Sequence, residues 1–192
     1  MNKIAIFASG SGTNAQNIIE YFAAKKTAEV SYVLSNKKDA YVLTRARNYK
    51  IPVRIFDRQE FYETDRILDF LKEKGINWIV LAGFLWLVPE NIVNSYPNRI
   101  VNIHPALLPK FGGKGMYGLN VHRAVLDSNE KDTGITIHYV NRKYDEGNII
   151  FQTKCRVDES DTPESLAGKV HKLEYKYYPE IIEKLILESA DL

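Results

Sequence analysis

Asn102-Ile103-His104-Pro105, followed by Leu107-Leu108-Pro109, sets a carboxamide and an imidazole two positions apart just before a stretch that cannot continue as helix or sheet. An imidazole gains and loses a proton near neutral pH, and a carboxamide both donates and accepts hydrogen bonds, so the pair suits acid-base chemistry. Side chains alternate along a strand, which puts Asn102 and His104 on one face while Val101 and Ile103 point into the core. Prolines at 105 and 109 bias the residues before them away from the helical region and remove two backbone donors, favouring a fixed loop at the strand's end. A histidine bonded in a loop for structural reasons alone is the competing reading, and a second polar constellation is needed to decide.

Two other segments supply candidates. Asp145 lies in Lys143-Tyr144-Asp145-Glu146-Gly147, a turn between two strands where a carboxylate is often only solvated. If that turn folds against the rim carrying His104, the carboxylate fixes the tautomer of the imidazole and raises its basicity. Gly10-Ser11-Gly12-Thr13-Asn14 follows the first strand and opens the first helix, where free N–H groups and the positive helix end can hold a phosphate. Ala15 stands where a dinucleotide fingerprint has its third glycine, and no Lys-Ser/Thr pair makes a Walker loop. A tight turn without a ligand is the alternative there. His122 and Arg123 open a helical run, His138 alternates within Thr136-Ile137-His138-Tyr139 and can face either way, and His171 and Glu174 share a helix face. No histidine spacing specifies a metal.

The elements that must position these residues read as an α/β chain. Apolar strands at Lys3–Ala8, Val30–Leu34, around Val53 and Ile55, and at Trp78–Ala82 alternate with helices at Asn14–Ala24 and Ala40–Tyr49 and with one marked by Phe61, Ile67, Leu68 and Leu71, stopped by Gly75. Pro89 starts a short helix and Arg99–Ile103 is the next strand. Ligands in open α/β sheets sit at the C-terminal strand ends, so the Gly10 loop, the Gly83–Val88 loop and Asn102/His104 are expected on one rim. Phe84 to Val88 either wall a flat heterocycle or fill the core. Residues 117–126 read as a helix, 134–155 as a hairpin, and Thr162-Pro163 as the start of a final helix with its apolar stripe at Leu166, Val170, Leu173, Tyr177, Ile181, Ile182 and Leu185 and a kink at Pro179.

Composition bounds the class. The 192 residues are 45% hydrophobic and 26% charged, ordinary for a globular enzyme, and 26 basic against 24 acidic residues give only +2, which does not argue for nucleic-acid binding. One cysteine, Cys155, excludes an internal disulfide and reads as a small buried hydrophobe. No run approaches the roughly 18 apolar residues of a membrane span, and a reducing cytoplasmic setting is expected.

Taken together, Gly10-Ser11-Gly12-Thr13-Asn14, Leu81-Ala82-Gly83-Phe84, Asn102-Ile103-His104-Pro105-Ala106-Leu107-Leu108-Pro109, and Gly134 to His138 leading to Asp145-Glu146-Gly147-Asn148-Ile149-Ile150 resemble the phosphoribosylglycinamide formyltransferase family over essentially the whole chain. The resemblance implies a three-layer Rossmann-like fold with a mostly parallel central sheet, an antiparallel C-terminal hairpin and a long C-terminal helix. It implies a single domain over 1–192, with a phosphate-binding half (1–100) and a catalytic, folate-binding half (101–192). The implied reaction moves a formyl group from the cosubstrate 10-formyltetrahydrofolate to the amine of glycinamide ribonucleotide, with no metal and no covalent enzyme intermediate. Asn102, His104 and Asp145 match the family's catalytic triad. Gly10, Ser11, Gly12, Thr13 and Asn14 match its phosphate loop, with Arg58 and Glu174 on the ribonucleotide side. Phe84, Leu85, Trp86, Leu87 and Val88, with Asn141 and Tyr144 in the 141–146 turn, match its folate segments. Trp86 stands where many members carry arginine, Asn120 and Tyr175 replace histidines, and the 112–117 loop is longer than in some relatives. A folate-dependent enzyme acting on another amine, such as an amino-sugar nucleotide or an aminoacyl-tRNA, is the nearest rival, though such relatives append a C-terminal domain for which this chain has no room. A phosphate-binding regulatory module without turnover is the rival of a different class. A monomer or weak homodimer is expected.

Overall fold

The computed structural model describes residues 1–189, so the last three residues of the expected 1–192 domain lie outside the described residues. Short apolar runs, glycine turns and amphipathic stretches alternate as β1 (Asn2–Phe7), α1 (Thr13–Lys25), β2 (Ala28–Ser35), α2 (Tyr41–Asn48), β3 (Val53–Ile55), α3 (Arg58–Tyr62), α4 (Arg66–Glu73) and β4 (Trp78–Leu81). The chain continues through α5 (Glu90–Ser95), β5 (Ile100–His104), α6 (Leu119–Asp127), β6 (Asp132–Tyr139), β7 (Ile149–Arg156) and α7 (Pro163–Glu188). One seven-stranded sheet results, ordered β3-β2-β1-β4-β5-β6-β7. Strands β1 to β5 pair in parallel, whereas β6 runs antiparallel to β5 and β7 antiparallel to β6. The mostly parallel sheet, the C-terminal hairpin and the long final helix are therefore as expected.

Alternation along β1 shows how the sheet is buried. Ile4 and Ile6 join one apolar cluster with α1, α2 and α7, while Ala5 and Phe7 join another with α3, α4 and α5. Val101, Ile103, Ile135 and Ile137 all belong to the first cluster. Their alternates Asn102, His104, Thr136 and His138 thus share the opposite face of β5 and β6, where the sheet turns from apolar to polar.

Local chemistry corrects several of these expectations. The single helix expected around Phe61–Leu71 is two, because Asp57 and Glu60 form a capping box that starts α3 early and the Thr64 hydroxyl binds the Glu60 carbonyl (3.0 Å) and accepts from the Arg66 N–H (3.3 Å). Helix α7 begins at Pro163 under a Thr162 cap, as expected, and runs unbroken through Pro179. Proline leaves the Tyr175 carbonyl without its helical donor, and the Asn17 amide of α1 supplies one at 2.8 Å. The buried stripe of α7 is also rotated: Glu174, Tyr178 and Ile186 are buried, while Leu173, Tyr177 and Ile181 flank the core. Cys155, expected to be buried, is half-buried because β7 is an edge strand.

Tyr178 ties α7 to the sheet, its hydroxyl reaching the Leu81 carbonyl at 2.8 Å and the Val101 carbonyl at 3.1 Å from a fully buried position. Tyr178→Phe removes that donor from two carbonyls that keep their partners in the β4–β5 ladder, so unfolding free energy should fall by about 0.5–1.5 kcal/mol. Urea denaturation, read as a lower midpoint at unchanged slope, checks it.

Candidate active site

Antiparallel pairing of β5 with β6 puts Asn102 opposite His138 and His104 opposite Thr136. A carbonyl only accepts hydrogen bonds, so two backbone contacts fix the imidazole tautomers. His138 Nδ1–H donates to its neighbour Tyr139's carbonyl at 2.8 Å, which leaves Nε2 to accept from the Asn102 amide at 3.1 Å. His104 Nε2–H donates to the Phe111 carbonyl at 2.7 Å, and Nδ1 becomes the nitrogen free to gain or lose a proton. Thr136 holds the loop below them: its hydroxyl donates to the Ala106 carbonyl (2.7 Å) and accepts from the Leu108 N–H (3.0 Å) and the Gln152 amide (2.8 Å).

Asp145 arrives from the β6–β7 turn. The turn folds so tightly onto β6 that a Cβ on Gly147 would lie 1.6 Å from the Tyr139 carbonyl oxygen, which only glycine permits. Asp145 itself has φ 53°, a left-handed conformation that Asp tolerates better than most residues. Its Oδ2 lies 3.5 Å from His104 Nδ1 and accepts the Gly113 N–H at 2.9 Å, while Oδ1 lies 3.5 Å from His138 Nε2 and 3.4 Å from the Asn102 amide nitrogen. Burial pushes the Asp145 carboxyl up, but His138, His104 and the Gly113 N–H outweigh it and hold the carboxyl below its ordinary range. Burial likewise pulls His104 below the ordinary histidine value, with Asp145 and the Phe111 carbonyl opposing. A neutral, buried imidazole thus faces an ionised carboxylate at neutral pH.

The Gly10–Asn14 loop sits at the end of β1, which β4 alone separates from β5 in the sheet. Helix α1 is entered through Gly12 with no side-chain cap, which leaves its first N–H groups open to an anion. Asn14 donates to Glu174 Oε2 at 2.9 Å, and His171 Nε2 lies 3.9 Å from the same oxygen. Glu174 is only 5% exposed, and burial pushes its carboxyl up against the opposing Asn14 hydrogen bond and the nearby His171. His122 is buried too, with Nδ1 lacking a partner among the described residues, and burial pulls it down to about 4 with His171 and His104 adding to the shift.

The third segment closes the rim. Leu85 N–H donates to Ser9 Oγ (3.1 Å) and Ser9 N–H to the Gly83 carbonyl (3.0 Å), which locks the 83–88 loop beside the Gly10 loop. Phe84 meets Phe7 edge-on at 5.5 Å and Val88 is buried in the core, whereas Trp86 is half-buried beside Tyr62. Arg58 stacks over Tyr62 (5.1 Å) and Trp86 (5.9 Å), so the structure groups it with this loop. Tyr62 donates to the Leu87 carbonyl at 2.9 Å. Asn141 Oδ1 accepts the Lys143 N–H (2.9 Å) to shape the facing turn, and Tyr144 is 37% exposed on it.

The sequence model of the formyl transferase family matches residues 2–182. The chain belongs to that family. It is 42% identical to the chloroplastic phosphoribosylglycinamide formyltransferase of Arabidopsis thaliana over 94% of its own length and 64% of that protein's. Against the phosphoribosylglycinamide formyltransferase of Haemophilus influenzae identity is 35%, covering 95% of this chain and 86% of the relative. Among solved structures, glycinamide ribonucleotide transformylase 1 from Symbiobacterium toebii superposes with a TM-score of 0.90 at 34% identity, over 98% of this chain and 89% of that one. This formyl transferase chain thus spans just under two thirds of the plant relative.

The structure joins Asn102, His104 and Asp145, and it adds His138, which the sequence left facing either way. The register of β6 against β5 supplies the missing signal: with Thr136 opposite His104, His138 must fall opposite Asn102. Among the described residues, no group of three or more His, Cys, Asp or Glu side chains has the geometry to hold a metal ion.

Glu174 yields a prediction. Its folded-state pKa is raised, so its favourable contribution is complete below the unfolded value and lost as pH rises through the folded one. Glu174→Gln keeps an acceptor for Asn14 and cannot ionise. Its melting temperature should exceed the parent's at pH 7, with the gap closing as pH falls through the raised folded value into the ordinary carboxylate range, in scans from neutral to acid pH.

Proposed function

We propose that this chain transfers the formyl group of 10-formyltetrahydrofolate to the amine of glycinamide ribonucleotide, giving formylglycinamide ribonucleotide in purine biosynthesis. The observation that carries the proposal is the convergence of Asn102, His104, His138 and Asp145, with distances of 3.1 to 3.5 Å between their polar atoms, beside an uncapped helix entry that suits a phosphate. The relatives' names support the choice of amine over an amino-sugar nucleotide. A non-catalytic phosphate-binding module has no need to bring His104 and Asp145 together.

In this reading the phosphate sits on Gly10, Ser11, Gly12, Thr13 and Asn14, and Glu174 accepts from the ribose hydroxyls. The folate lies along Phe84, Leu85, Trp86, Leu87 and Val88, covered by Asn141 and Tyr144, with Arg58 acting from the rim it shares with Trp86. Val88 takes part through its backbone, since its side chain belongs to the core. The neutral amine attacks the formyl carbon, whose carbonyl oxygen becomes an oxyanion. The tetrahedral centre collapses by breaking its bond to N10 of the folate, which leaves with a proton. Asn102 donates to the oxyanion with the hydrogen now spent on its longer contact, 3.4 Å to Asp145, while its shorter bond to His138 keeps the amide oriented. His104 takes up and passes on the amine proton at Nδ1, and the ionised Asp145 stabilises the imidazolium. Residues 1–192 act as one domain, in a reducing cytoplasmic setting, as a monomer or weak homodimer.

Steady-state assays that follow both folate deformylation and the formylated product test the reading: product must require both substrates. A folded, folate-binding protein that forms no product with glycinamide ribonucleotide overturns it in favour of another amine. His104→Ala should lower kcat by about 10²–10⁴-fold at near-native stability. Asp145→Asn removes the group that raises the His104 pKa, so the acidic limb of kcat/KM should move to lower pH while the plateau falls. An acidic limb that does not move disconnects it from His104.

A further inference from the structure

Arg45 belongs to none of the motifs that the sequence singles out, yet it acts on the backbone of the phosphate loop. Helix α2 lies directly behind that loop and makes two contacts with consecutive peptides. Val42 N–H donates to the Gly10 carbonyl at 3.1 Å, and Arg45 Nε–H donates to the Ser11 carbonyl at 2.8 Å. A trans peptide carries its C=O and N–H on opposite sides, and the only cis bond among the described residues is Leu108–Pro109. Because the Gly10 and Ser11 carbonyls point toward α2, the Ser11 and Gly12 N–H groups point away from it. Gly12 is left-handed (φ 75°, ψ 26°) and Thr13 begins the right-handed helix, a reversal of hand that curls successive N–H groups into one concavity. Among the described residues the N–H groups of Ser11, Gly12, Thr13 and Asn14 bind no backbone acceptor outside the regular helices and strands.

The guanidinium is built in. It donates to the Gln16 carboxamide on α1 and lies 4.9 Å over the Tyr41 ring, so its direction is fixed on two sides. Gly12 packs so closely on α2 that an added Cβ would stand 2.4 Å from a Val42 methyl carbon. Loop and helix therefore move as one body, and the cation is held behind the loop without filling the space in front of it.

We propose that Arg45 is a positioning residue for the substrate's phosphate: by holding the Ser11 carbonyl it turns the Gly12 N–H, and with it the loop, toward the anion. The identity of the phosphate-bearing substrate rests on the function proposed above, whereas the action of Arg45 on the loop does not. Lysine at this position would keep the charge but lose the planar fork that reaches Ser11 and Gln16 together.

The test compares Arg45→Met and Arg45→Lys with the parent on two amine substrates, glycinamide ribonucleotide and glycinamide riboside, which lacks the phosphate. Arg45→Met should raise KM for the ribonucleotide by about tenfold or more. The KM for 10-formyltetrahydrofolate and the kcat/KM for the riboside should stay within about twofold, with Arg45→Lys in between. Equal losses on both amines overturn the proposal, because a merely structural role does not distinguish a substrate with phosphate from one without. Calorimetric titration with inorganic phosphate gives a readout independent of transfer. If the parent binds phosphate but transfers no formyl group, the proposed function fails, and weaker phosphate binding by Arg45→Met still upholds the role of Arg45. Unchanged phosphate binding overturns it. Should Arg45→Met fail to fold, Arg45→Lys, which keeps the stem and the charge, carries the same comparison.

Discussion

The antiparallel register that sets Asn102 against His138 is the constraint on which the site depends. Up to β5 the sheet is parallel, and its strands are apolar on both faces because helices cover both. Reversing direction at β6 lets two neighbouring strands be joined by a loop that carries α6. Strand β6 leaves beside the start of β5, where the Val140 N–H binds the Ile100 carbonyl at 2.9 Å, so the turn must fold back along β5 to bring Asp145 to His104. The reversal therefore provides two histidine-bearing strands side by side, and the folded-back turn delivers Asp145 onto both.

Once placed, the polar groups are held by electrostatics that differ between two carboxylates. Asp145 and Glu174 are both largely removed from water and each lies near an imidazole, yet the first is held low and the second pushed up. Asp145 accepts from a backbone N–H and a carboxamide and has two imidazoles within 3.5 Å, polar surroundings that together exceed the desolvation penalty. Glu174 has one carboxamide at 2.9 Å and a histidine at 3.9 Å, and burial dominates. Environments that drive two acids apart in this way leave one carboxylate as a fixed negative charge and the other as a poorly solvated group with few donors of its own.

Legibility of these features followed the range of the interactions behind them. Strand and helix positions, the Thr162 cap and the Gly75 stop depend on neighbours a few residues away, and the pattern revealed them. Asn102 and His104 could be paired because a strand's period of two is a local property. His138 could not be oriented, since its face is set by a register that forms across 36 residues of chain. The break between α3 and α4 escaped for the opposite reason: Thr64 competes for a backbone carbonyl at a scale finer than apolar periodicity. The burial of Tyr178 in place of Tyr177 reflects two carbonyls on different strands, which no helical pattern encodes.

Backbone conformation carries the last step from fold to chemistry. Phe111 and Asp145 both hold positive φ, 57° and 53°, and both supply contacts to His104, one through a carbonyl and the other through a carboxylate. Left-handed non-glycine residues persist where the surroundings over-determine them. Here the Gly113 N–H, bonded to Asp145 at 2.9 Å, fastens the loop containing Phe111 to the turn containing Asp145. The two irregular segments therefore brace one another across the imidazole. A shift of either one would change both polar partners of His104 at once, so its tautomer is set by the pair of loops together, not by the strand on which the histidine sits.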